Sequence, residues 1–327
     1  MSGTVPPRPD SRPDLTGAGL VLLAAACFGI LGPVAHFAEE GGVSSLALVT
    51  WRAALGAMCM AAFIALRRAT QGVRTVPLGA IPVRDRWFMA AAAVANTILN
   101  LSVFVAFLRI GITLSLLVFY LYPAFVALVS VAWFGERLDR IRWLALGLSL
   151  LGMVLVVAGA GNLGRLDILG IGLAFLAGLG QTFYVLAARH GFARVPGAQA
   201  AALTMGGAAS LYLAVALLLG SVGELGAPLR GIDAAWPVLV AGLVGAGIPT
   251  VSYIVGIRRL GAPRAAILAN FEPVVGVLLA ALLLAEQPTL VQLAGGVLII
   301  AAGVVLQLRP RAEIAEHEAV GDATATG

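Results

Sequence analysis

The sequence predicts an all-α polytopic membrane protein with ten transmembrane helices in two inverted five-helix repeats, and three observations carry that prediction. Hydrophobic residues make up 60% of the 327-residue chain and charged residues 11%, with a mean hydropathy of +0.99, values that no water-soluble globular chain needs. A long stretch then occurs twice: LRIGITLSLLVFYLYPAFVALVSVAWFGERLDRIRWLALGLSLLG from Leu108, and RRLGAPRAAILANFEPVVGVLLAALLLAEQPTLVQLAGGVLIIAAG from Arg258 to Gly303. At a constant offset of 150 residues Gly111 falls on Gly261, Pro123 on Pro273 and Glu136 on Glu286. The register slips by one in the span that follows, where Gly147 fits Gly296, so the repeat is one of halves. The third observation is the distribution of arginine among the loops, which fixes orientation.

Residues 1–14, MSGTVPPRPDSRPD, are rich in proline and short polar residues and read as a disordered tail. The first span, Leu15 to Ala38, exceeds a signal-peptide core, although the Ala35 to Ala38 pair resembles a cleavage site. Span two is Ser44 to Leu66, followed by the basic loop RRATQGVRTVPLGAIPVRDR. Spans three, four and five are Trp87 to Leu108, Ile112 to Phe134 and Ile141 to Ala158, which makes 15–160 the first repeat. The second repeat, 161–308, holds Ile168 to Ala188, Ala198 to Gly220, Ala234 to Ile257, Ala262 to Ala285 and Thr289 to Leu308. Each crosses roughly 30 Å of hydrocarbon with some tilt. Residues 309–327 form a second polar tail expected to be disordered.

All 21 basic residues are arginine. With the N-terminus in the cytoplasm, 17 of them lie on the cytoplasmic side, Arg109, Arg165 and Arg230 lie outside, and Arg52 lies within span two. Five spans per half is odd, so the halves cross the bilayer in opposite senses, with Glu136 inside and Glu286 outside. Both termini are then cytoplasmic in a multi-pass protein of the inner (cytoplasmic) membrane. The absence of lysine removes a P-loop lysine and Schiff-base chemistry. The net charge of +5 comes from loops rather than a basic face interleaved with aromatics, which argues against nucleic acid. No H-E-x-x-H, G-x-S-x-G, Cys/His metal spacing or paired membrane carboxylates point to an intramembrane enzyme, a metal or another cofactor.

Glu272 is the sharpest candidate, about ten residues into span nine, where an ionised side chain costs about 2.5–3.5 kcal/mol on insertion scales. It reads either as a proton-coupling or substrate-amine site, or as a packing residue beside Pro273. Arg52 either holds a substrate carboxylate or pairs with a carboxylate or backbone carbonyls to fix span two. Asn96 and Asn100, at i and i+4, face one way and suit either a polar substrate or interhelical hydrogen bonding. Tyr120 and Tyr122 precede Pro123 where Asn270 and Glu272 precede Pro273, and both prolines loosen backbone hydrogen bonding in mid-span, as a hinge or a fixed kink. Gln181, Tyr184 and Tyr253 are further cavity candidates, with Thr250 and Ser252 behind them. Gly170, Ala174, Gly178 and Thr182 form a small-residue seam for packing. His36 and Glu40 read as a solvated helix end, Cys27 and Cys59 as small packing residues, and Glu136 and Glu286 as helix-loop anchors.

The paired segments LYPAFVALVSVAWFGERL and FEPVVGVLLAALLLAEQP, each with a proline in a helix, an apolar run and a terminal Glu before a glycine-rich helix, resemble the two EamA-like domains of the drug/metabolite transporter superfamily. The resemblance covers Leu15 to Leu308. It implies ten helices around a central cavity lined mainly by spans one, three, four, six, eight and nine, with span two toward the periphery. The superfamily handles amino acids, sugars, nucleotide derivatives and amphipathic toxins. This sequence departs from the commoner pattern in carrying Tyr122 where the second copy has Glu272. The expected activity is secondary transport of small polar or amphipathic metabolites, as proton-driven export of amino acids or related compounds; a passive channel is the alternative. The expected partners are a small-molecule substrate, membrane lipid and a proton gradient, with monomer and homodimer both open.

Overall fold

The computed structural model describes residues 14–72, 75–159, 167–284 and 287–307, and among these it is built of helices with no strand. Span one is two helices, α1 (Leu15–Gly29) and α2 (Leu31–Glu40), and span two is α3 (Ser45–Gln71). The long α4 (Val83–Phe119) reverses at Gly111, so it supplies span three and the start of span four, which continues as α5 (Tyr122–Phe134). Span five is α6 (Arg140–Ala158), span six α7 (Ile168–Leu186) with a wide turn over Ala187–Gly191, and span seven α8 (Gly197–Leu218). Span eight joins α9 (Ile232–Gly242) to α10 (Ile248–Leu260) through a second wide turn at Leu243–Gly247. Span nine is α11 (Ala262–Ala269) plus α12 (Glu272–Leu283), and α13 (Leu290–Gln307) is span ten. Nine of these stretches are long and apolar enough to cross a bilayer, and the apolar Leu290–Leu306 is a shorter tenth. The tail expected at 1–14, apart from Asp14, which caps the first helix, the tail expected at 309–327 and the anchor expected at Glu286 lie outside the described residues.

Lipid is the solvent this surface requires. Leu128, Leu151, Leu176, Leu282 and Val297 stand exposed along the spans, an apolar belt that water would drive to aggregate. The interior is made of small residues instead: Ala24, Ala92, Ala145, Ala200, Ala201, Ala265 and Ala266 are buried without exposed surface. Small residues let helix backbones approach where hydrophobic expulsion cannot drive association. Gly152 on α6 and Gly295 on α13 show how close: a Cβ at Gly295 would lie 2.5 Å from the Gly152 carbonyl oxygen.

The packing follows the internal repeat. Span two lies on seven, five on ten, three on six and one on eight. Exchanging each span of the first half with its counterpart in the second returns the same set of pairs, as a two-fold relation between halves requires. The backbone repeats too. Gly111 (φ 78°, ψ 164°) and Gly261 (φ 89°, ψ 158°) occupy one left-handed conformation that a side chain would strain. Both spans that follow break and restart, at Tyr120–Leu121 and at Asn270–Phe271.

The two-fold also places ion pairs at both ends of the bundle. Asp14 caps α1 by accepting from the Gly17 N–H at 2.9 Å and pairs with Arg259 at the end of α10, Nε to Oδ2 2.9 Å. Asp167 caps α7 by accepting from the Leu169 N–H and pairs with Arg109 at the end of span three at 2.7 Å. One pair ties span one to span eight at the end of the bundle where the described chain begins; the other ties span six to span three at the opposite end.

Candidate functional site

The breaks in spans four and nine bring polar side chains to the middle of the bundle. Pro123 and Pro273 each stand at the second position of a restarting helix, α5 and α12, where a missing N–H costs nothing. The break therefore lies ahead of each proline rather than around it. Tight turns carry the chain across, with Leu121 N–H on Val118 C=O at 3.3 Å and Phe271 N–H on Leu268 C=O at 3.1 Å. Small residues of the partner spans sit against the breaks: a Cβ at Gly29 would lie 2.8 Å from the Glu272 carbonyl oxygen, and one at Gly178 3.1 Å from that of Phe119.

Glu272 opens α12 and keeps part of its surface accessible. Tyr120 and Arg52 are the polar groups that act on its carboxyl electrostatically. Arg52 lies one turn from Gly56 on the face of α3 that Met205 and Ala246 cover, so it turns toward spans seven and eight rather than to lipid. Beside it is Tyr212 of span seven, buried at 1% exposure. The Tyr212 hydroxyl reaches Asn96, 3.3 Å from its carbonyl oxygen and 3.4 Å from Oδ1. Asn100 Nδ2 donates to the Asn96 backbone carbonyl at 2.8 Å and lies 3.3 Å from its Oδ1, so the two amides share one face. Tyr122, Gln181 and Tyr253 form a second group next to Glu272; the buried Tyr253 hydroxyl has Tyr122 and Gln181 alongside and no hydrogen bond of good geometry.

Two further candidates pack between spans. Asn270 is fully buried and donates from Nδ2 to Ser149 Oγ at 2.8 Å, which fastens span nine to span five. Tyr184 is buried in span six. The seam Gly170, Ala174, Gly178 and Thr182 packs on spans three and four, with Ile110 Cγ2 2.5 Å from a Cβ built at Gly170. Cys27 and Cys59 are both free, and no cluster that could hold a metal occurs among the described residues.

Sequence reading missed Tyr212, which sits in an apolar span as an unremarkable aromatic. It also missed both Asp–Arg pairs, although Arg109 and Arg259 stand in the 150-residue register and each Asp opens a half. A third arrangement it missed closes one end of the bundle. Arg258 donates to three carbonyls of the loop after span six, Ala188 at 3.2 Å, Phe192 at 2.8 Å and Val195 at 2.6 Å, while Arg189 donates back to the Arg258 carbonyl. Nearby, His190 stacks on Phe134 and lies 3.5 Å from Glu136. Burial raises the Glu136 carboxyl above its usual range, with Arg189 and Arg142 opposing.

The chain matches the model of the EamA-like transporter family twice, over residues 15–158 and 168–308. An uncharacterized transporter of Synechocystis sp. is 27% identical over 195 residues, 58% of this chain and 56% of that one, so the chain spans about half that relative's length. An uncharacterized transporter of Archaeoglobus fulgidus is 25% identical over 293 residues, 90% of this chain and 96% of that one. A solved crystal structure is similar over 89% of this chain and 98% of its own, with a TM-score of 0.74 at 21% identity, a likeness of fold.

Proposed function

The chain belongs to the EamA-like transporter family, and from that premise we propose that it is a secondary active transporter of small polar or amphipathic metabolites. Amino acids and related compounds are the proposed cargo, exported across the cytoplasmic membrane in exchange for protons, with both chain termini in the cytoplasm. The observation that carries this reading is Glu272: a partly accessible carboxyl at the helix break in mid-span, where α12 restarts. Intramembrane carboxyls mark ion and substrate paths because their cost must be offset by a function. A carboxyl so placed can gain or lose a proton as access to it alternates.

The test is Glu272→Gln in sealed vesicles, with amino-acid flux followed with and without an imposed pH gradient. Glutamine keeps size and hydrogen bonding but cannot ionise. The variant is expected to insert and fold normally, to lose gradient-driven accumulation, and to keep exchange of labelled for unlabelled substrate between the two faces. Wild-type accumulation with unchanged gradient dependence would show that the carboxyl is a packing group. Flux that ignores the gradient in the wild type would make the protein a passive facilitator.

A further inference from the structure

We propose that the crevice between spans two and seven is a binding site for one acyl chain of a membrane phospholipid, and the proposal stands apart from what the protein carries. The crevice holds about 290 Å³ and is walled by Thr50, Trp51 and Ala54 of α3 and by Ser210 and Leu213 of α8, with Leu225 closing one end. An enclosed apolar cavity of about 150 Å³ already admits benzene. The depth of the crevice is that of hydrocarbon. Thr50 and Ala54 lie five and nine residues from Ser45, where α3 begins, and Leu213 lies five residues before Leu218, where α8 ends. At 1.5 Å per residue the walls run from about 8 to 14 Å beneath the end of the bundle, within the nearer half of a hydrocarbon layer roughly 30 Å thick. The mouth opens to lipid. Ser210 and Leu213 are exposed, and so are Met58 and Leu217, which continue the same two helix faces at i+4 from Ala54 and Leu213.

Two observations say what fills it. First, the donors of the wall are already spent: Thr50 Oγ1 donates to the Leu46 carbonyl at 2.6 Å, Ser210 Oγ to the Gly206 carbonyl at 2.9 Å and Trp51 Nε1 to the Leu225 carbonyl at 2.8 Å. A polar guest would give up its water without gaining a donor, so the guest is hydrocarbon. Second, the equivalent place at the other end of the bundle is filled by the chain itself. There Gln199 of span seven clasps the loop after span two, accepting from the Val76 N–H at 3.0 Å and donating to the Val76 carbonyl at 2.6 Å. Val76 and Ile81, the latter 1% exposed, join the core that contains Met60 and Ala200. The loop after span seven is clasped too, by Trp51, yet its apolar side chains turn outward, Val222 at 41% and Leu229 at 79% exposure. The two-fold thus has one packed member and one open member. An unfilled groove forfeits van der Waals contacts along its lining, and an acyl chain entering from the surrounding bilayer restores them.

Retention and contact are tested separately on the full-length protein. Native mass spectrometry of protein taken from membranes in mild detergent should show one bound phospholipid. Ala54→Leu and Ser210→Leu fill the crevice from opposite walls with a side chain that lipid-facing helices accept, and each should weaken that retention by about 3-fold or more. The contact arm replaces Trp87, Trp133, Trp143 and Trp236 by phenylalanine, which leaves Trp51 as the sole tryptophan, in vesicles of phosphatidylcholine brominated in mid-chain. Bromine quenches indole fluorescence on contact. Trp51 is expected to be quenched, either filler should relieve most of the quenching, and Met58→Phe, one turn farther along span two, should leave it unchanged. Protein free of phospholipid, a Trp51 that bromine does not quench, or quenching and retention that both fillers leave at the wild-type level would each overturn the proposal. A Trp51 shielded from bromine in a complex of doubled mass would overturn it in favour of a second copy of the chain. Because the retention and quenching expected without fillers need no change in the crevice wall, a filler that fails to fold does not rescue the proposal from either of them.

Discussion

At the scale of the residue, charge placement separates structure from function. Arg258 also lies 5.7 Å from the centre of the Phe192 ring that it helps to hold. Arg258→Met keeps the stem and removes the donors, leaving three loop carbonyls to find water. It is expected to destabilise the protein by about 3 kcal/mol, read from denaturant unfolding in micelles. Asp167 makes a contrasting prediction. The Arg109 hydrogen bond holds its carboxyl below the usual carboxylate range, so its contribution is complete above about pH 5 and fades as pH falls below about 4. Stability measured against pH should therefore be parallel in the wild type and Asp167→Asn from pH 5 to 8, and converge only in acid. Glu272 and Arg52 were legible in the sequence as expensive charges, because insertion cost depends on depth alone. Their electrostatic relation was not, since they are 220 residues apart and no local pattern links them.

At the scale of the element, the same substitution should have opposite outcomes at two glycines of the α6–α13 interface region. A Cβ at Gly295 would meet the Gly152 carbonyl oxygen at 2.5 Å and the Val156 nitrogen at 2.6 Å, both backbone atoms that cannot swing aside. Gly295→Ala is expected to cost about 1–3 kcal/mol. At Gly147 nothing lies within 4 Å, so Gly147→Ala should be neutral or stabilising by up to about 1 kcal/mol through helix propensity. Unfolding curves of the two variants decide whether spans five and ten touch through this seam. Helix positions were readable because length and hydropathy fix a span, and Gly111 and Gly261 marked real left-handed turns. The breaks were read only approximately. Proline announces a disturbance, but the turn precedes it, and the bond from Asn270 to Ser149 of span five had no local signal.

At the scale of the whole molecule, the two halves form a device with one ion pair at each end. The duplication was visible in sequence, since Gly111, Pro123 and Glu136 keep a single offset; the pairing of spans was not, because contacts between halves leave no trace in either half alone. Those contacts put Asp14–Arg259 between spans one and eight, and Arg109–Asp167 between spans six and three. In the alternating cycle proposed above, each pair would resist separation of its own end. Both pairs are solvent-exposed and screened, so each moves an equilibrium only by a small factor, about 1.4- to 5-fold. Arg259→Gln should therefore favour opening at the end that holds Asp14, and Arg109→Gln at the other. The measurement uses a cysteine at Asn96, beside the central Tyr212, with Cys27 and Cys59 replaced by serine, and an impermeant thiol reagent applied from either face of oriented membranes. Labelling from the Asp14 side should rise by that factor in Arg259→Gln and fall in Arg109→Gln, with the reverse from the opposite side. High salt should shrink both effects in the parent protein by screening the pairs. Changes of the same sign from both faces would mean that the pairs hold the fold as a whole rather than its two ends in turn.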